Sequence, residues 1–207
     1  MFNIENIDLK QKLQGICNKK IEEIQEEDIE KIKDITINAK DNIGNFISNN
    51  LKDLTYFKNL EYCTIKDYEI TNESFEVIYQ IRTIESLEFV SCAFINKSEI
   101  KLKLKQLRFS FCNGFDVGEI FEESQIENII FNNCDDLILN NLNKIIGLET
   151  IELNEIKLDK KKMNALLECK VKNIVFNNCK VNLIYRSKIK ELETKKNLKI
   201  TNQKLVL

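Results

Sequence analysis

The chain has 207 residues, 43% of them apolar, with 31 basic and 33 acidic side chains and a formal net charge of −2. That length and apolar content suffice for one sizeable core and exclude wholesale disorder. The near-balance of charge lacks the basic excess that displaces counterions from a nucleic acid, and the absence of histidine removes the commonest catalytic base and metal ligand.

Seven cysteines, with no C-x-x-C pair among them, suggest neither a complete disulfide framework nor a zinc site. Reduced thiols in a cytosol are the simplest reading. No apolar run approaches the roughly 18 residues needed to span a bilayer, and the N-terminus shows no basic segment followed by an apolar stretch. A cytoplasmic location is therefore expected, or a secreted or surface one if a signal has been trimmed.

Residues 1–31 read as helical. Asp8 is placed to cap a helix over 9–16, with Leu9, Leu13 and Ile16 about one turn apart. A second helix is predicted over 21–32, with Ile21, Ile24, Ile29 and Ile32 on one side and Glu22, Glu23, Glu26, Glu27 and Glu30 on a solvated face. Its apolar side is expected to cover the exposed end of the rest of the chain.

From Ile32 onward a pattern repeats. Three apolar positions recur, the second at Ile35, Cys63, Leu87, Leu107, Ile129, Ile151, Ile174 and Leu198, at intervals of 28, 24, 20, 22, 22, 23 and 24 residues. Two places on come Ile37, Ile65, Phe89, Phe109, Phe131, Leu153, Phe176 and Ile200. Three places before come Ile32, Leu60, Ile84, Leu104, Ile126, Leu148 and Val171, with Lys195 breaking the pattern in the last. Apolar residues two apart predict a short strand with one buried face. Helix-like runs separate the strands, at 73–84, 118–123, 142–146, 161–168 and 185–192. Strand and helix alternating at a near-constant period predict parallel strands stacked coil on coil.

The clearest copy, I-E-N-I-I-F-N-N-C-D-D-L at 126–137, reads L-x-x-L-x-L-x-x-C-x-x-L and resembles a leucine-rich repeat. The place that family fills with Asn or Cys holds Lys40, Tyr68, Cys92, Cys112, Cys134, Ile156, Cys179 and Gln203. The resemblance implies a right-handed α/β solenoid of about eight repeats over residues 32–207, with parallel strands on the concave face and helices or irregular segments on the convex face. It also implies that the Cys column points inward and bonds backbone where the strand turns away. A thiol ladder that binds metal or senses redox state is the alternative, disfavoured because nothing basic adjoins it. Residues 1–31 resemble the helical N-terminal cap of bacterial internalin-like proteins, with I-Q-E-E-D-I at 24–29 fitting the lead into the first repeat. Repeats of 20 to 28 residues and the lack of proline depart from that regular architecture. Cap and repeats are expected to form one continuous domain. Cys63 should be buried, and Cys169 should be the most exposed thiol.

The resemblance implies that a partner protein docks on the concave face. Residues alternating with the buried ones give the candidates: Glu88, Val90, Arg108, Ile130, Asn132, Glu152, Asn154, Val175 and Asn177. Ile130 and Val175 supply an apolar centre, separated by the Glu152 strand. Asn132, Asn154 and Asn177 either serve as adaptable hydrogen-bonders or satisfy one another across strands. Glu88 and Arg108 are placed to pair for little net energy. Asp135 and Asp136 read as turn residues, and 160–162 as a solvated helix start. No catalytic, cofactor or metal constellation emerges. The C-terminus, L-K-I-T-N-Q-K-L-V-L, reads as a last strand with an apolar tail. The tail is expected to fold over the end, with homodimerisation through that edge, or a longer natural protein, as alternatives. The function expected is non-enzymatic protein–protein interaction. A self-assembly module or an internalin-like adhesin fragment is the runner-up.

Overall fold

Alternating burial builds the central sheet. Ile35 and Ile37, Leu87 and Phe89, and Ile174 and Phe176 are buried while their strand neighbours are partly exposed, which is the period-two signature of a strand with one face in the core. The computed structural model describes residues 3–40, 50–95, 101–201 and 204–206.

In chain order the elements are α1 (Ile7–Cys17), α2 (Glu26–Ile29), β1 (Asp34–Asn38), β2 (Tyr62–Lys66), β3 (Glu69–Ile70), α3 (Asn72–Gln80), β4 (Ser86–Val90), β5 (Ala93–Phe94) and β6 (Lys103–Ser110). They continue with α4 (Val117–Ile120), β7 (Gln125–Asn132), β8 (Thr150–Asn154), β9 (Lys157–Leu158), α5 (Lys160–Glu168), β10 (Asn173–Asn177), β11 (Lys180–Asn182), α6 (Arg186–Lys195), β12 (Asn197–Thr201) and β13 (Lys204–Val206). Eight strands form one parallel sheet in the order β1-β2-β4-β6-β7-β8-β10-β12. Small parallel ladders, β3-β5 and β9-β11-β13, lie just past the turn out of the main strands.

The register is the one the repeat alignment predicts. Ile35 lies opposite Cys63, Cys63 opposite Leu87, Leu87 opposite Leu107 and Leu107 opposite Ile129; the row continues through Ile151 and Ile174 to Leu198. The third apolar column becomes an aromatic stack, with Phe109 at 5.8 Å from Phe89 and 5.4 Å from Phe131, ring centre to ring centre. Phe94, Phe115 and Phe121 close on it from the turn and helix side. Such contacts contribute about 0.5–1.5 kcal/mol each beyond area burial. Phe75 and Ile78 of α3, Met163 and Leu166 of α5 and Ile189 and Leu192 of α6 complete one continuous core behind the sheet.

Six strands, β2, β4, β6, β7, β8 and β10, are left through a left-handed residue: Asp67, Ser91, Phe111, Asn133, Glu155 and Asn178, with φ from 50 to 60°. Their N–H groups extend the ladder into the next coil, as Phe111 does to the Asn132 carbonyl at 2.9 Å. One residue later the cysteines turn inward. Cys92 donates to the Ile65 carbonyl, Cys112 to Phe89, Cys134 to Phe109 and Cys179 to Leu153, over 3.1–3.6 Å and always to the preceding coil. This is the role the resemblance implies for that column. Tyr68 fills the same place in its coil and is also buried, whereas Gln203 lies outside the described residues.

At the N-terminal edge, α1 covers β1. Its cap is Asn6 rather than Asp8: the Asn6 Oδ1 accepts from the Leu9 N–H at 2.9 Å, and Asp8 sits in the first turn paired with Lys12. Asn6 wins because it is held from every side. Its N–H donates to Asp53 at 2.8 Å, and its Nδ2 donates to the Asn38 carbonyl at 2.9 Å and to the Tyr68 hydroxyl at 3.0 Å. With Lys12 donating to the Thr36 carbonyl at 2.8 Å, side chains of α1 occupy carbonyls on the β1 edge. The helix buries Leu9 and Leu13, but Ile16 is exposed.

The predicted second helix breaks. Residues 21–32 form a 3-10 turn (Ile21–Glu23) and the short α2, because Ile24 is extended and Gln25 with Asp28 starts a new capping box. The runs at 118–123 and 142–146 shrink to α4 and to a 3-10 turn (Leu142–Lys144). Here the fit is tight: a Cβ on Gly118 would come within 2.1 Å of the Asn141 backbone in the next coil. At the far edge, residues 204–206 pair with β11 as β13 instead of lying across β12, and Leu198 and Ile200 of β12 stay half-buried.

Candidate functional site

The face of the sheet opposite the helices carries every sequence-predicted binding residue. Glu88, Arg108, Ile130, Glu152 and Val175 form one row in register, each half-exposed. Parallel pairing of the eight strands sets the row, because residues of equal phase in each repeat stack side by side. Ile130 and Val175 flank Glu152, as the sequence implies, so the apolar centre is split by a carboxylate.

The neighbouring row is a hydrogen-bonded ladder, and here the structure decides between the two readings of the asparagines. Asn177 donates to the Asn154 Oδ1 at 2.7 Å, Asn154 to the Asn132 Oδ1 at 2.6 Å, and Asn132 to the Ser110 Oγ at 3.0 Å. Ser110 then donates to the Glu88 carboxylate at 2.9 Å. Asn154 and Asn177 also each donate to Glu152 at 3.0 Å. The amides are therefore committed to one another, to Ser110 and to the Glu152 carboxylate rather than held ready for a ligand. Each neutral link contributes on the order of 1 kcal/mol net, and the links to carboxylates more.

Arg108 is not part of this network. Although it stands opposite Glu88, no ion pair joins the two among the described residues, and Glu88 turns to Ser110 instead. The Arg108 Nε is buried without a hydrogen-bond partner. Arg108 borders a concavity of about 390 Å³ over the first half of the sheet, with Tyr62, Thr64, Ser86, Glu88 and Gln106 among its other walls. No feature of the sequence separated Arg108 from the other charged candidates, because its missing partner depends on the side-chain path of Glu88.

The thiols are structural on this geometry. Burial pushes the Cys63, Cys92 and Cys112 thiols up to about 12 and Cys134 to about 11. Cys169, expected to be the most exposed, is buried and donates to the Leu166 carbonyl at 3.1 Å; Cys17 is instead the partly exposed one. Asp135 and Asp136 are exposed turn residues, and Lys162, expected to be solvated, is buried beside Asp159 at 3.0 Å.

One relative bears on the family. Over 116 residues the chain is 29% identical to an uncharacterized leucine-rich repeat-containing protein of Amsacta moorei entomopoxvirus. The chain is similar to a leucine-rich repeat protein. The match covers 53% of this chain and 24% of that relative, so the chain spans about a quarter of its length. No family model and no solved structure matches. The long parallel sheet, with helices behind it, fits a leucine-rich-repeat-like fold. Among the described residues no helix is long and apolar enough to cross a membrane.

Proposed function

We propose that the chain is a non-enzymatic protein-interaction module, a single right-handed leucine-rich-repeat solenoid that binds a partner protein through its strand face. On this reading residues 1–31 form the N-terminal cap and the sheet forms the concave surface. The observation that carries the proposal is the row Arg108, Ile130, Glu152 and Val175, which places apolar and charged side chains together on a face whose backbone is already satisfied. Such a rigid face presents side chains at fixed spacing and spends little entropy on ordering. Its mixture of apolar centre and polar rim suits a protein interface. Ile130, Val175 and Arg108 are the central contacts. The ladder of Asn132, Asn154 and Asn177 with Glu88 and Glu152 holds the surface in shape, and Val90 lies at its border.

The test is capture from a lysate of the source cell by the wild-type chain and by the folded double variant Ile130→Arg, Val175→Arg. A protein retained by the wild type and lost by the variant supports the proposal. Equal retention by both moves the interface elsewhere and overturns it. Self-assembly through the β12 edge is the second reading, favoured by the half-buried Leu198 and Ile200 at the end of the sheet. A mass that doubles with concentration in light scattering would support it.

A further inference from the structure

We infer that Arg108 is the receptor for a carboxylate side chain, an Asp or Glu, presented by an extended segment of the partner protein. This deepens the binding reading above and rests on it. Arg108 carries a planar guanidinium with five N–H donors. Among the described residues none of these donors is used in a side-chain hydrogen bond or ion pair, and the Nε is sealed from solvent with nothing to receive its proton. The second cation of the concavity, Lys105, is paired with Glu85 at 2.7 Å. The carboxylate opposite Arg108, Glu88, is engaged by Ser110. Among the described residues Arg108 is thus the unmatched positive charge of this concavity.

The surroundings select the anion. Asp34, Glu85 and Glu88 stand against Lys105 and Arg108 on the walls, so the concavity as a whole is slightly negative. With Glu85 matched by Lys105, a phosphate dianion would still meet two carboxylates, Asp34 and Glu88, beside one free cation, whereas a singly charged carboxylate matches the guanidinium fork with two parallel hydrogen bonds. Thr64, Ser86 and Gln106 add neutral donors and acceptors for a peptide backbone, and Tyr62, exposed at 48%, adds a flat apolar wall. Beyond the concavity, the row runs from Arg108 to its register neighbour Ile130 and, past Glu152, to Val175. An internal acidic side chain lets the peptide run on in both directions along the strand face, whereas a terminal carboxylate leaves it only one.

The test uses the side-chain Nε–H signals of the chain's three arginines, Arg82, Arg108 and Arg186, in a ¹⁵N-correlated NMR spectrum. Arg108→Lys assigns the relevant signal by removing it. The titrants are acetyl-Gly-Gly-Asp-Gly-Gly-amide, the same peptide with Asn or phosphoserine in place of Asp, and acetyl-pentaglycine with a free carboxylate. The expected result is a saturable shift of the Arg108 signal alone with the Asp peptide, at millimolar concentration, and no shift with the Asn peptide. No shift, an equal shift with Asn, or equal shifts at all three arginines would overturn the inference. A larger response to phosphoserine or to the free terminus would overturn the assignment to an acidic side chain. Loss of captured protein in the Ile130→Arg, Val175→Arg variant stands or falls separately, so failure here leaves the face itself in place.

Discussion

The side-chain amide of Asn154 donates to the Asn132 carbonyl oxygen at 2.6 Å, one link in a chain of side chains running across five strands from Asn177 to Glu88. All the links point one way: each amide nitrogen gives, each amide oxygen receives, and the Ser110 hydroxyl receives from Asn132 and gives to Glu88. The direction is imposed at its end, where Glu88 accepts only.

That polarity makes the ladder sensitive to a reversal of one member. Asn154→Asp replaces the donor with an acceptor facing both the Asn132 oxygen and the Glu152 carboxylate. It should destabilise the fold by roughly 1–3 kcal/mol at neutral pH, more than Asn154→Ala at about 1 kcal/mol. Urea unfolding of the two variants beside the wild type measures this. Equal losses would mean that the ladder contributes through packing alone.

The left-handed turn offers a gain in stability. Asn133 and Asn178 suit φ near 50°, but Phe111 holds φ 58° with its ring exposed at 57%. A non-glycine, non-asparagine residue there costs about 1 kcal/mol or more. Phe111→Asn should recover about 1 kcal/mol and raise the melting temperature by about 2–4 °C, and Asn133→Ala should lose a similar amount.

How much of this was legible in the sequence differs by level. The strand register was, because two apolar residues per coil at a period near 22 leave one way to bury the core. The left-handed turns were half legible: Asn133 and Asn178 fit them, but Ser91, Phe111 and Glu155 do not, and only the stacking of each coil on its neighbours holds them there. Helix extents were overread at 21–32, 118–123 and 142–146, since polar spacing permits a helix that the narrow gap between coils does not, as the contact of Gly118 with Asn141 shows. On the strand face, position was legible and partnership was not. Which amide gives to which oxygen, and that Glu88 abandons Arg108 for Ser110, are set by side-chain paths that residue spacing does not encode.

The cysteines give a pH dependence. Burial raises Cys63, Cys92 and Cys112 from an ordinary 9.0 to about 12. The folded chain holds these protons more tightly than the unfolded chain, so the thiols contribute their full stability below pH 9 and lose it as pH rises from 9 towards 12. Each pH unit in that window should cost about 1.4 kcal/mol per buried thiol. Denaturant midpoints at pH 8, 10 and 11 should fall steadily, and alkylation of the native chain at pH 8 should modify Cys17 before any other cysteine. A flat profile, or early labelling of Cys169, would contradict the burial described.

The central claim is that the strand face, rather than the helical side, meets the partner. It is tested most directly by the affinity of the captured protein for two sets of folded variants. Arg108→Gln, Ile130→Arg and Val175→Arg alter the strand face; Tyr79→Ser on α3 and Lys161→Glu on α5 alter exposed positions on the helical side. We expect at least a tenfold loss for each change in the first set and less than a twofold change in the second. Losses confined to the helical set would contradict the claim.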